Sequence, residues 1–132
     1  MIRIIGGDFG GRKLWTPKGY ETRPTPERVR EALFNILQTE ITGANFLDLF
    51  AGSGSVGFEA LSRGAGRVTF VENSPKALEI IRRNLKMLRA GTEARCVSTS
   101  AFVYGDLAGE DFIFVSPPYP QIERMSSLGR FM

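Results

Sequence analysis

The sequence predicts an α/β fold: a parallel sheet wound with helices and preceded by a β-hairpin and a helix. Three observations carry this reading. From residue 46 onward, short apolar stretches alternate with helical ones, and strand–helix–strand order implies right-handed crossovers and a parallel sheet. A glycine-rich turn, Gly52 to Gly57, joins the first of these strands to the first of these helices. The chain has 132 residues, 42% of them hydrophobic and 23% charged, which suits one ordinary globular domain and excludes disorder, collagen and coiled coil.

The N-terminal elements come first. Residues 2–5 and 12–15 read as two short strands around Gly6-Gly7-Asp8-Phe9-Gly10-Gly11, a glycine cluster suited to a turn that needs positive φ. Thr22-Arg23-Pro24-Thr25-Pro26 breaks the regular structure. Thr25 is the expected N-cap of the next helix and Pro26 its first residue. Val29, Ala32, Leu33, Ile36 and Leu37 are expected on one inward face, with Gly43 ending the segment.

The alternating part follows. Residues 46–50 form a strand candidate, and the glycine turn leads into a helix that closes at Gly64. Residues 67–72 form a second strand. Ser74 and Pro75 cap a second helix with Leu78, Ile81, Leu85 and Leu88 inward, ended by Gly91. Residues 93–98 are a third strand, followed by a short helical turn from Ala101 to Leu107. Residues 111–115 are a fourth, running into Ser116-Pro117-Pro118-Tyr119. Cys96 falls in the third strand, where a core role is expected.

Composition narrows the chemistry. Histidine is absent and Cys96 is the single cysteine. Ser-His-Asp and Cys-His catalysis, histidine-ligated zinc and an internal disulfide framework are therefore excluded. No metal site is expected. No apolar run reaches the roughly 18–20 residues of a membrane-spanning helix, and the first residues lack the apolar stretch of a signal peptide. The cytoplasm is the expected location.

The net charge is +3. Residues 1–45 carry seven basic and five acidic side chains, and residues 76–95 carry six basic and two acidic. The remaining stretches are acidic on balance. Two basic segments suggest a polyanionic partner such as nucleic acid, although a solvated helix face explains the same charges.

Three motifs point to a ligand at the carboxyl ends of the strands, where parallel sheets bind. Glycines 52, 54 and 57 satisfy G-x-G-x-x-G, a loop that approaches a ligand closely and turns helix N–H groups toward it. Dinucleotides and S-adenosylmethionine both fit such a loop. Asp48, four residues before Gly52, favours a cationic cofactor over a pyrophosphate, and about 45 residues precede the strand. Glu72 lies 20 residues after Gly52, where an acid accepts hydrogen bonds from ribose hydroxyls. Ser116-Pro117-Pro118-Tyr119 fixes an extended path, points carbonyl acceptors outward and adds an aromatic plane. That arrangement suits a planar heterocycle bearing an amino group.

Together these residues resemble the RsmD-type small-subunit ribosomal RNA guanine-N2 methyltransferases. The resemblance runs through Arg3 to Gly7, Gly11-Arg12-Lys13-Leu14, Thr22 to Thr25, Arg28 to Leu37, the glycine loop and Glu72, covering nearly residues 1–119. It implies a Rossmann-like class I methyltransferase sheet, with strands 1–4 of the usual seven in the order 3-2-1-4. Residues 1–45 are then the N-terminal hairpin and helix, 46–119 the cofactor-binding half and 120–132 an atypical tail. The chain is read as a truncated or frame-shifted member, and its exposed fourth-strand edge is expected to promote self-association.

By resemblance, S-adenosylmethionine is the cofactor. Asp48, Gly52, Ser53 and Gly54 would hold its methionine part, Glu72 and Asn73 its ribose, and Ser100 and Ala101 its adenine. Ser116, Pro117, Pro118 and Tyr119 would form the catalytic loop. Arg12, Lys13, Arg23, Arg28 and Arg30 would help place ribosomal RNA or a small-subunit assembly particle. Two positions depart from the family: Ser116 stands where Asp or Asn is usual, and Ser100 where an acid or Asn is frequent. The alternatives are an inactive RNA- or cofactor-binding fragment, a DNA amino-methyltransferase and, more distantly, an NAD-dependent oxidoreductase.

Overall fold

The computed structural model describes residues 1–18 and 25–116. The expected contributions of Arg23, Pro117, Pro118, Tyr119 and the tail 120–132 lie outside the described residues.

The N-terminal hairpin pairs β1 (Ile2–Arg3) with β2 (Lys13–Leu14) antiparallel, Ile2 opposite Leu14. Its turn packs on the rest of the molecule at Gly7, where a Cβ would lie 2.0 Å from the Ser62 carbonyl oxygen, so only glycine fits. Helix α1 (Glu27–Ile36) follows. Its N-cap is Pro26, with no side-chain cap, rather than Thr25; the Thr25 carbonyl instead accepts from Arg30 Nε at 3.2 Å.

The inward face of α1 also differs from expectation. Arg30 and Phe34 are buried, whereas Val29 is 45% exposed and Ile36 78% exposed. Leu33 and Leu37 pack against the core, as does Ile41 beyond the helix. The stripe keeps its period but starts at residue 30 instead of 29, a rotation of about 100°. The cause is a buried acid, Glu59, which draws the Arg30 guanidinium inward at 3.1 Å.

The main sheet contains β3 (Asn45–Asp48), β4 (Arg67–Glu72), β5 (Ala94–Ser98) and β6 (Phe112–Phe114). All are parallel, in the order β5-β4-β3-β6, as expected. Phe46 aligns with Val68 and Phe112, and Glu72 with Ser98. Helix α2 (Ser55–Ser62) joins β3 to β4, and α3 (Pro75–Met87) joins β4 to β5.

One sheet face and its helices form the larger core, with Phe34, Phe46, Val56, Phe58, Val68, Phe70 and Ile81 all buried. The Phe58 and Phe70 rings meet at 5.0 Å. On the other face a smaller cluster gathers Leu47, Leu49, Val71 and Ala101. The β5–β6 connection covers it, and its helical turn is shorter than expected: the Ser100 carbonyl accepts from Val103 and Tyr104 N–H, and the coil stops there.

Helix ends follow local chemistry. Gly64, at φ 101°, closes α2, with Ala65 N–H reaching the Ala60 carbonyl at 3.1 Å. Ser74 caps α3 by accepting from Ala77 N–H, and Pro75 opens it. At its far end Arg89, not Gly91, takes the left-handed turn, at φ 57°. Ala90 N–H donates to the Leu85 carbonyl and Arg89 N–H to that of Lys86, the paired closure that usually selects glycine. No helix among the described residues is long and apolar enough to cross a membrane.

Candidate cofactor site

The site is built on the bend after β3. Parallel pairing places the carboxyl ends of β3, β4 and β6 together, since Asp48 aligns with Phe70 and Phe114. Asp48 therefore ends β3 beside the start of the glycine turn. Its side chain is buried, and Oδ2 accepts from Gly57 N–H at 3.1 Å. The carboxyl thus ties the end of the strand to the first turn of α2.

Each glycine of the loop has its own reason. Gly54 sits at φ 80° as the N-cap of α2, a conformation that costs L side chains and not glycine. Gly57 faces β4, where an added Cβ would lie 2.3 Å from the Phe70 ring. Gly52 donates its N–H to Glu72 Oε1 at 2.8 Å. The buried Ser53 hydroxyl accepts from Ser55 N–H, so it shapes the loop from within.

Glu72 closes the same end. Its second oxygen accepts from Ser74 N–H at 2.9 Å, so one carboxylate braces both the β3–α2 and the β4–α3 turns. Each carboxylate oxygen has a further lone pair and can still accept a hydroxyl. Asn73, exposed between Glu72 and Ser74, stands at this rim.

The electrostatics of Asp48 are unusual. Burial pushes its pKa up to about 7, the Gly57 N–H pulls it down, and the neighbouring Glu72 charge raises it again. No cation pairs with Asp48 among the described residues. A buried acid with one hydrogen bond and an acidic neighbour is stabilised by a positive ligand and destabilised by a pyrophosphate. The donor set therefore fits a cationic nucleoside cofactor: a carboxylate for the positive part, and a carboxylate with spare acceptor capacity for ribose hydroxyls.

The remaining expected residues divide. Ser100 and Ala101 follow β5 at the same carboxyl end, with Ala101 buried and the Ser100 hydroxyl accepting from Phe102 N–H. Ser116 follows β6 two residues beyond Phe114, also at this end. Arg12, Lys13 and Arg28 are exposed, as RNA contacts require. Arg30 is not. It is 1% exposed and bonded to Glu59, Arg3 O and Thr25 O, so the expectation that it touches RNA is corrected: it holds the N-terminal unit to α2.

Some participants escaped the sequence reading. Phe50, inside the glycine-turn motif, and Phe102 meet edge to face at 5.5 Å, a pairing that the spacing of the two residues does not signal. Gly57, a loop glycine by its spacing, is also the backbone donor to Asp48. Glu59 is fully buried and binds Ile5 and Gly6 N–H, Arg30 and Arg63. Its signal was present as the lone acid in an otherwise apolar and small helix, residues 55–62.

Comparison with known proteins identifies the family and the fold. The chain is 45% identical over 121 residues to the Ribosomal RNA small subunit methyltransferase D of Escherichia coli, an alignment covering 90% of this chain and 61% of that protein. It is 38% identical to the Putative rRNA methyltransferase YlbH of Bacillus subtilis, covering 91% and 68%. A solved structure, the Putative methyltransferase yhhF from Escherichia coli, superposes with a TM-score of 0.79 at 44% identity, covering 89% of this chain and 64% of that one. The chain thus spans about three fifths of the length of the E. coli relative, and its sheet is the Rossmann-like sheet of class I methyltransferases. The family model described as Conserved hypothetical protein 95 matches residues 2–129, and the chain belongs to that family, the one that holds the RsmD-type proteins.

Proposed function

We propose that this chain carries the cofactor-binding half of an S-adenosylmethionine-dependent methyltransferase acting on the exocyclic N2 amine of a guanine in small-subunit ribosomal RNA. The observation that carries this reading is the buried, cation-free Asp48 carboxyl beside a glycine turn braced by Glu72. The named activities of the relatives give the substrate class.

When bound, S-adenosylmethionine supplies an electrophilic methyl group on a sulfonium sulfur. Asp48 would hold the cationic methionine part, with Gly52 to Gly54 beside it. Glu72 would accept from the ribose hydroxyls, with Asn73 at the same rim, and Ser100 and Ala101 would meet the adenine. The guanine amine is a poor nucleophile because its lone pair is conjugated with the ring. The Ser116 hydroxyl would accept one of its hydrogens and help localise that pair; Pro117, Pro118 and Tyr119, outside the described residues, would complete the catalytic loop by resemblance to the family, with the target base taken out of any helix. Ser116 offers an acceptor without charge, so its hold on the amine is weaker than that of Asp or Asn.

Equilibrium titration tests the reading. S-adenosylmethionine is expected to bind the folded chain and raise its melting temperature, and NAD to do neither. A folded sample that binds NAD in preference, or no S-adenosylmethionine at all, would falsify the assignment.

A further inference from the structure

The second basic segment, on α3, lies outside the cofactor site and outside the RNA contacts implied by resemblance. The fold brings it against the N-terminal hairpin. Asn84, fully buried on α3, accepts from Trp15 N–H and donates to the Trp15 carbonyl, both at 2.9 Å. This two-point clamp fixes the backbone of an aromatic residue that remains 41% exposed. One helical position earlier, the Arg83 guanidinium lies 4.6 Å from the centre of the Trp15 ring. Lys86 is exposed one turn further along α3, and Lys13 precedes Trp15 by two residues on the exposed side of the strand from which Leu14 points inward. None of Lys13, Arg83 and Lys86 has an ion pair among the described residues.

An exposed indole on a clamped backbone, with one arginine over its ring and two lysines without ion pairs nearby, is the composition of a single-strand nucleic-acid platform, in which bases stack on aromatic faces and phosphates meet lysine and arginine. We propose that Trp15, with Lys13, Arg83 and Lys86, forms a docking track for a single-stranded segment of RNA, one base stacking at Trp15 and the adjoining phosphates lying along α3. The proposal rests on RNA being the substrate and adds where a segment away from the target base is held. An exposed aromatic plane set among the cations favours RNA over an acidic protein, because binding an acidic protein needs charge and no ring.

Trp15 is the single tryptophan of the chain, so its emission reports the track directly. Titration of the full chain with a short single-stranded RNA is expected to quench that emission along the same isotherm as the anisotropy of the labelled RNA. Removing the stacked ring in W15A should weaken binding roughly 5- to 150-fold. R83E should weaken it and lower the slope of log affinity against log salt by about one; circular dichroism confirms that each variant is folded. RNA binding with no change in emission overturns the proposal, as does equal quenching by polyglutamate, which has charge and no bases. S-adenosylmethionine binding, measured on the same sample, keeps the two readings apart. Cofactor binding without quenching sinks the track alone, and quenching without cofactor binding sinks the methyl-transfer reading alone.

Discussion

Two carboxyl groups are buried against α2 in opposite electrostatic surroundings. Glu59, in its second turn, receives two arginines at 2.8 and 3.1 Å and two backbone N–H groups at 3.0 Å each. Asp48, at its first turn, receives one backbone N–H and faces a second acid. Burial of an ion is tolerated when partners replace its water. Glu59 has those partners within the fold and serves packing. Among the described residues Asp48 has no cation, which leaves its charge open to a positive ligand. The comparison separates a structural charge from a candidate ligand-binding one by its partners and not by its depth.

The largest expected effect comes from the compensated acid. E59A leaves the Arg30 guanidinium buried without its carboxylate and strands two backbone donors. Breaking such a pair costs about 3–5 kcal/mol, a large part of the stability of a small domain. Denaturant unfolding should show this loss, and the pair of substitutions Glu59→Leu with Arg30→Met should recover part of it. An E59A protein as stable as the parent would erase the contrast.

Asp48 should behave in the opposite way. D48N is expected to weaken S-adenosylmethionine binding by roughly 10- to 100-fold, the size of a lost charge-assisted contact, while the ligand-free protein stays folded. The pH dependence gives the sign independently. The folded-state pKa of Asp48 is raised from 3.8 to about 7, so the folded chain binds a proton that the unfolded chain has released between those values. This contribution is complete below the unfolded pKa and is lost as pH rises through about 7. Melting of the ligand-free parent relative to D48N should therefore fall across that window. A parallel pair of curves would show that Asp48 is already compensated.

G57A tests the steric part of the site. Its Cβ would meet the Phe70 ring at 2.3 Å, and overpacking of this kind costs about 1–3 kcal/mol, readable as a lower denaturant midpoint. The smallest effect is expected at Glu27, whose bond to Arg3 is exposed at 2.7 Å. E27Q should leave the melting temperature unchanged within error, since solvent screens such pairs.

The same contrast explains what could be read in the sequence. Period and punctuation located β4 at residues 67–72 and the Ser74 cap without correction, whereas the β5-β4-β3-β6 order followed from the family resemblance. The cofactor turn was legible because its glycines, Asp48 and Glu72 are adjacent or regularly spaced. The orientation of α1 was not, because it depends on Glu59, 29 residues away from Arg30 in the chain. A hydrophobicity pattern places arginine outside and has no means of knowing that a buried acid awaits it. Arg89 in a left-handed turn escaped for a similar reason: the closure of α3 is decided by backbone hydrogen bonds, which glycine eases and does not dictate.

The Asn84 clamp has a consequence for the order in which the chain acquires its shape. Trp15 is secured by a side chain 69 residues downstream, and the Ile5 and Gly6 amides by one 53–54 residues downstream. Contacts of such separation form late, after the loops between them have closed. During synthesis the first 18 residues therefore leave the ribosome well before their partners exist, and the hairpin sets only once α2 and α3 have emerged.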